Sequence, residues 1–180
     1  MDESIRSTRR CVKKTLKKGG IMSNAIKELT ITKEIDAPIE KVWKAWTDPK
    51  IIQQWWGPDG VTNPICEFDA TPGGKLHIEM LAGEELGELK GSRWPMKGVV
   101  TEIEKPTKLI FTSTAFEDED GKTNLENLVT VTFSQNGDKT KMIIHIEVTK
   151  ATEKTKMALK GMDMGWNQQI NKLEKMLAQK

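Results

Sequence analysis

The chain has 180 residues, of which 37% are hydrophobic and 30% charged, and carries a formal net charge of +2. That length suits one ordinary domain, able to bury roughly 70% of the surface its unfolded form exposes without disulfide staples, and the composition is that of a folded rather than a disordered chain. No apolar run approaches the roughly 20 residues of a membrane-spanning helix. Cys11 and Cys66 lie far apart and form no CxxC pair, which fits a reducing, cytoplasmic setting.

The charge is unevenly spread. Arg6, Arg9, Arg10, Lys13, Lys14, Lys17 and Lys18 face only Asp2 and Glu3 within the first 21 residues, so the body of the chain is slightly acidic. An acidic body is not the electrostatic footprint of a nucleic-acid-binding domain. The basic segment has neither the apolar core of a secretory signal nor the acid-free composition of an organellar presequence. A basic arm for an acidic partner is one reading. The reading adopted is a disordered extension over residues 1–25, with the domain over 26–180.

From Ile26 the pattern becomes regular. Leu29, Ile31 and Ile35 alternate with polar residues and predict a strand at about 27–35. Asp36-Ala37-Pro38 marks a helix start, since proline at the first helical position loses no hydrogen bond. Ile39, Val42, Trp43 and Trp46 then share one helical face. Asp48-Pro49 starts a second short helix with Asp48 as N-cap, and Gly57-Pro58 stops it. Six strands follow, at about 61–70, 75–80, 94–104, 108–116, 127–134 and 140–148. In the second of these, Leu76, Ile78 and Met80 alternate with Lys75, His77 and Glu79, as in an antiparallel sheet covered on one face. Asn136-Gly137-Asp138 reads as a tight hairpin. A long helix at about 152–179 closes the chain, with an apolar stripe of Leu159, Met162, Trp166, Ile170, Leu173 and Leu177. Gly161 and Gly165 interrupt it, each weakening the helix by up to about 1 kcal/mol; they either admit a neighbouring element or leave room beside the stripe.

Several segments in this order carry a resemblance. They are Ala37-Pro38-Ile39-Glu40-Lys41-Val42-Trp43-Lys44-Ala45-Trp46, Thr47-Asp48-Pro49 through Trp55-Trp56-Gly57-Pro58, Pro72-Gly73-Gly74, Gly98-Val99-Val100-Thr101-Glu102-Ile103, Pro106 with Leu109-Ile110-Phe111-Thr112, and Gly165-Trp166 with Leu173 and Leu177. Over about residues 27–179 the chain resembles the activator of heat-shock protein 90 ATPase homologue-like family. The resemblance implies an α+β helix-grip fold of the START-like (SRPBCC) superfamily: a curved seven-stranded antiparallel sheet around a long C-terminal helix, with two short helices after the first strand. It implies an internal cavity; superfamily members include lipid carriers, plant hormone and pollen-allergen proteins, aromatic polyketide cyclases and a self-sacrificing antibiotic-resistance protein. The family takes its name from a eukaryotic co-chaperone.

The residues offer little catalytic machinery. His77 and His145 alternate with apolar neighbours on strands and read as solvent-face or satisfied histidines, far from Ser–His–Asp logic. Two histidines and one domain cysteine do not make a zinc site, and no HExxH spacing occurs. The acidic loop Glu117-Asp118-Glu119-Asp120-Gly121 is out of register for a calcium loop, placing Phe116 first and Asn127 twelfth. Gly73-Gly74 lacks the following GK[ST] of a phosphate loop. No catalytic residue, metal ligand or cofactor is therefore nominated. Strand parity, the helical stripe and the tryptophan-rich helices nominate Trp46, Trp55, Phe68, Leu76, Ile78, Met80, Trp94, Met96, Phe111, Phe116, Met162 and Trp166 as cavity residues, with Trp94, Met96 and Phe116 at its mouth. The expected function is non-catalytic binding of a hydrophobic or amphipathic small molecule. The alternatives are a protein-interaction role that stimulates a chaperone ATPase, and a cyclase- or hydrolase-like enzyme that works by shaping its substrate.

Translation is expected to start at Met22, because Lys18-Gly19-Gly20 can be encoded AAA-GGA-GGA, a purine-rich ribosome-binding sequence just upstream. The nucleotide sequence checks this: codons that break the purine run remove the basis for it.

Overall fold

Alternation of apolar and polar residues puts one face of each strand in the core, and the computed structural model, which describes residues 25–179, shows where those faces meet. The strands are β1 (Lys27–Ile35), β2 (Val61–Phe68), β3 (Lys75–Ala82), β4 (Arg93–Glu104), β5 (Lys108–Glu117), β6 (Thr123–Asn136) and β7 (Lys139–Ala151). They form one antiparallel sheet in the order β1-β7-β6-β5-β4-β3-β2. Helices α1 (Ile39–Thr47) and α2 (Pro49–Trp55) follow β1, and α3 (Lys156–Ala178) ends the chain. This is the expected order. The basic extension and the Met22 start lie outside the described residues.

The local signals act as the chemistry requires. The Asp48 carboxylate caps α2 by accepting the Lys50 N–H at 3.0 Å, and Pro49 occupies the first helical turn. The β6–β7 hairpin pairs Asn136 with Lys139, so the two turn residues are Gly137 and Asp138 rather than Asn136 and Gly137. Gly137 takes the positive φ of 60° that a tight two-residue hairpin demands. A short 3-10 segment, Glu84–Leu89, was not expected; its polar sequence carries no helical periodicity and none of its residues is buried.

Register shifts between Thr62 and Ile65, Val100 and Glu102, and Glu126 and Asn127 bend the sheet into a trough. At Gly98 the β5 backbone comes so near that a Cβ would sit 1.8 Å from the Thr112 carbonyl oxygen, so only glycine fits. One end of the trough is plugged by α1 and α2. Trp46 packs edge-on to Trp55 at 4.9 Å, to Trp56 at 6.3 Å and to Phe133 at 6.3 Å between ring centroids. The Trp46 indole N–H points at Met142 Sδ (3.2 Å), and that of Trp55 donates to the Ala45 carbonyl (3.0 Å). Both polar handles are therefore satisfied inside the core, as buried tryptophan requires.

Helix α3 lies across the trough, and only its second half seals it. Gln169, Ile170, Leu173 and Leu177 are buried, whereas no residue from Lys156 to Gln168 is. Polar tethers along its edges hold it. Lys27 Nζ reaches the Leu159 carbonyl and the Asp163 carboxylate, both at 2.8 Å, and Lys33 pairs with Glu174 at 2.9 Å. Lys41 Nζ donates to the Leu177 carbonyl at 2.9 Å, and Lys172 Nζ to that of Pro58 at 3.1 Å. Burial pushes the Lys172 ammonium below the usual lysine range, opposed by the nearby Asp59 charge. Among the described residues no helix is long and apolar enough to cross a membrane.

Replacing Trp46 with alanine is expected to cost about 3–5 kcal/mol, the range for a fully packed tryptophan. Chemical denaturation of Trp46→Ala measures it; a loss below about 1 kcal/mol would show that the plug is not a load on the fold.

Candidate functional site

Because the first half of α3 stands off the sheet, the trough is open there. A cleft of about 230 Å³ runs between them. Its helix wall is Ala158, Leu159, Gly161, Met162, Gly165, Trp166 and Gln169. Its sheet wall is Met80, Met96, Ser113, Ala115, Phe116, Leu125 and Asn127, and Trp56, Gly57 and Pro58 close the end against the plug. No Asp, Glu, His, Lys, Arg or Cys lies among these residues.

The two glycines account for the room on the helix side. A Cβ built at Gly161 or at Gly165 would meet no atom within 4 Å. Of the alternatives open in the sequence, the second holds: they leave space beside the stripe. Gly57 does the opposite. Its φ is +84°, and a Cβ would lie 2.7 Å from Val61 Cγ2 and 2.9 Å from Met80 Sδ, so its absence lets the cleft floor close against α2.

Three polar side chains interrupt the apolar wall. Ser113 and Asn127 are directly paired across β5 and β6, and Asn127 Nδ2 donates to Ser113 Oγ at 3.1 Å. Gln169, only 5% exposed, accepts the Gly57 N–H through Oε1 at 2.9 Å. The neighbouring Gln168 accepts the Asp59 N–H at 3.2 Å, so consecutive glutamines dock the α2–β2 connection onto α3.

At the mouth, Phe116 is 42% exposed and takes a left-handed φ of 57°, a conformation that costs a residue other than glycine roughly 1 kcal/mol or more. Asn124 holds it there. Its Nδ2 donates to the Phe116 carbonyl at 2.8 Å while its Oδ1 accepts from the Thr152 hydroxyl at 2.8 Å, just ahead of α3. Lys154 pairs with Asp118 at 2.6 Å across the same gap. Lys154, with help from Asn124, holds the Asp118 carboxyl below the usual carboxylate range.

The residues nominated from sequence divide three ways. Met80, Met96, Phe116, Met162 and Trp166 line the cleft, with Met96 buried rather than at the mouth. Trp46, Phe68, Leu76, Ile78 and Phe111 instead face a void of about 10 Å³ beneath the plug, room for one water molecule at most, and Trp55 packs behind it. They fall outside the cleft because the tryptophans of α1 and α2 fill that end of the trough. Trp94, opposite Met80 in the β3–β4 ladder, shares the inner-face parity but lies outside the cleft lining. Ser113, Asn127 and Gln169 were missed. Ser113 and Asn127 have the inward parity of Phe111 and Val129, so strand alternation could have found them; Gln169, seven residues after Met162 and four before Leu173, shares the face of the apolar stripe, so helical spacing could have found it.

Outside the cleft, His77 lies 3.7 Å from Glu67, and His145 Nδ1 shares a 2.9 Å hydrogen bond with the Thr30 hydroxyl, on the face of the sheet away from the helix. Burial pushes the half-buried Cys66 thiol up to about 11, which keeps it protonated and a poor nucleophile near neutral pH. Among the described residues no three His, Cys, Asp or Glu side chains converge as a metal site would need.

A curved antiparallel sheet gripping a C-terminal helix over an apolar cleft defines a helix-grip protein of the START-like kind. The family model described as "Activator of Hsp90 ATPase homolog 1-like protein" matches residues 36–178, and the chain belongs to that family. Solved structures agree. A protein from Arthrobacter aurescens superposes with a TM-score of 0.71 at 27% identity, covering 85% of this chain and 87% of that one. The AHSA1 protein of Silicibacter pomeroyi gives 0.68 at 25% identity, covering 84% and 98%. A protein from Chromobacterium violaceum gives 0.71 at 21% identity, covering 85% and 98%, a likeness of fold alone. Comparison with curated proteins finds no match.

Since a methyl group at either helix glycine meets nothing, Gly161→Ala and Gly165→Ala are each expected to stabilise the protein by up to about 1 kcal/mol. Denaturant midpoints check this; destabilisation by either change would mean that the helix wall is closed.

Proposed function

We propose that the chain binds a small hydrophobic or amphipathic molecule, non-covalently, in the cleft between the first half of α3 and strands β3–β6. The observation that carries this reading is the open, almost wholly apolar cleft, kept open by two glycines on a helix that would be more stable without them. Concave, mostly apolar sites with a few placed polar groups are the usual form of a small-molecule site. At about 230 Å³ the cleft is smaller than the roughly 300–1,000 Å³ typical of drug-sized ligands, which favours a compact ligand. Binding is favoured over proton-transfer catalysis because the lining offers no side chain that titrates near neutral pH.

A protein-interaction role has its own observation. Met157 and Met164, seven residues apart on α3, are 75% and 64% exposed, and exposed methionines suit adaptable protein contacts. Stimulation of a chaperone ATPase by this domain, abolished by Met157→Glu with Met164→Glu, would favour that role.

The binding reading is tested by filling the cleft. Purified protein is compared by native and denaturing mass spectrometry for a retained small molecule, and titrated with neutral aromatic probes while tryptophan fluorescence reports on Trp56 and Trp166. Gly161→Leu and Gly165→Leu are expected to abolish binding by about tenfold or more while keeping wild-type stability or better. Probe binding that survives both substitutions would place the ligand elsewhere.

A further inference from the structure

We propose that the cleft selects a neutral ligand that carries a carbonyl or similar oxygen acceptor, anchored by the side-chain amide of Gln169 with the Ser113 hydroxyl beside it. This rests on the cleft being the binding site.

The first support is the orientation of Gln169. Its Oε1 is committed to the Gly57 N–H at 2.9 Å, which fixes the amide so that Nε2 is the free end. Among the described residues Nε2 has no hydrogen-bond acceptor, although the residue is only 5% exposed and lines the cleft. The Nε2 group opens onto the cleft, where both of its N–H donors are available to an acceptor. A ligand oxygen seated in the cleft would accept from it.

The second is the β5–β6 pair. Ser113, 4% exposed, accepts from Asn127 Nδ2 at 3.1 Å, which leaves its own hydroxyl proton free to donate. Gln169 on the helix wall and Ser113 on the sheet wall thus both offer donors to the same space. Asn127 Oδ1, with no donor among the described residues, can receive a hydroxyl or amide proton from the ligand.

The third is the missing charge. None of the lining residues is ionised, so a carboxylate or sulfonate entering the cleft would give up its hydration with no cation to replace it. Several of the charged groups flanking the first half of α3 are already paired, Lys156 with Glu153 among them. Lys27 meets Asp163 at 2.8 Å and Lys154 meets Asp118 at 2.6 Å. Donors without a positive charge suit a ketone, an ester, an amide or a neutral phenol, and disfavour a fatty-acid anion.

Three naphthalene probes of matched shape separate these statements: 2-acetylnaphthalene, 2-naphthoate and 2-ethylnaphthalene, measured by equilibrium dialysis at pH 7. The ketone is expected to bind about tenfold or more tighter than the carboxylate. The ratio of ketone to hydrocarbon affinity should fall about tenfold in Gln169→Met, which keeps the side-chain volume, and should also fall in Ser113→Ala, which leaves the Gly57 contact alone. Naphthoate binding as tightly as the ketone would overturn the selectivity while leaving the cleft as the ligand site. An unchanged ketone-to-hydrocarbon ratio in both variants would overturn the anchor. Failure of all three probes to bind would overturn the binding reading itself, and this inference with it.

Discussion

The indole of Trp46 is the contact on which the arrangement of the interior depends. A trough of seven strands is too wide for one helix to fill, and the cluster of Trp46, Trp55, Trp56 and Phe133 fills the end that α3 does not. The cluster is solid because its indole N–H groups find partners within the core, at Met142 and Ala45, so no water has to follow them in. Where the cluster stops, the cleft starts. Trp56 belongs to both, buried against Trp55 at 5.3 Å and touching Trp166 of the cleft wall at 5.8 Å.

The two halves of α3 follow from this. The second half completes the plugged end and contributes the helix's buried residues. The first half lies over the cleft, with Met162 and Trp166 only partly buried against the core, and is held at its borders by hydrogen bonds and ion pairs, from Lys27 on one side and from Asn124, Thr152 and Lys154 at its start. Contacts of that kind stabilise less than apolar burial and exchange readily with water. The first half of α3 thus has less apolar burial to hold it than the second half, and it forms one wall of the cleft. Burial that would lock this half of the helix down would also fill the cleft.

Charge is arranged around that site, not within it. Lysines and carboxylates occupy the outer face of the sheet and the borders of α3, while the cleft keeps only amide and hydroxyl groups. Both histidines also lie on the outer face, paired with Glu67 and with Thr30 and Glu28, away from the cleft. Chemistry at this cleft is therefore governed by desolvation, shape and neutral hydrogen bonds.

The amino-acid sequence determined the elements and their faces, because those depend on interactions a few residues long. The 3.6- and 2-residue periods, Asp48 before Pro49 and the glycine of the β6–β7 turn each act locally, and each element formed close to its expected place. The inward parity of Leu76, Ile78, Met80 and Phe111 was likewise legible. Which inward residues meet a ligand-sized space was not, since core and cavity use the same side chains. Ile78 and Met80 are neighbours on one face of one strand, yet Ile78 packs beneath the tryptophans and Met80 lines the cleft. The stripe on α3 read as continuous, but its first half lines the cleft and is only partly buried, whereas its second half is buried in the core. Gln169 shows the same limit most sharply. Its partner is the backbone of Gly57, 112 residues away, and only the tertiary structure brings the two together and leaves the free end of the amide facing the cleft.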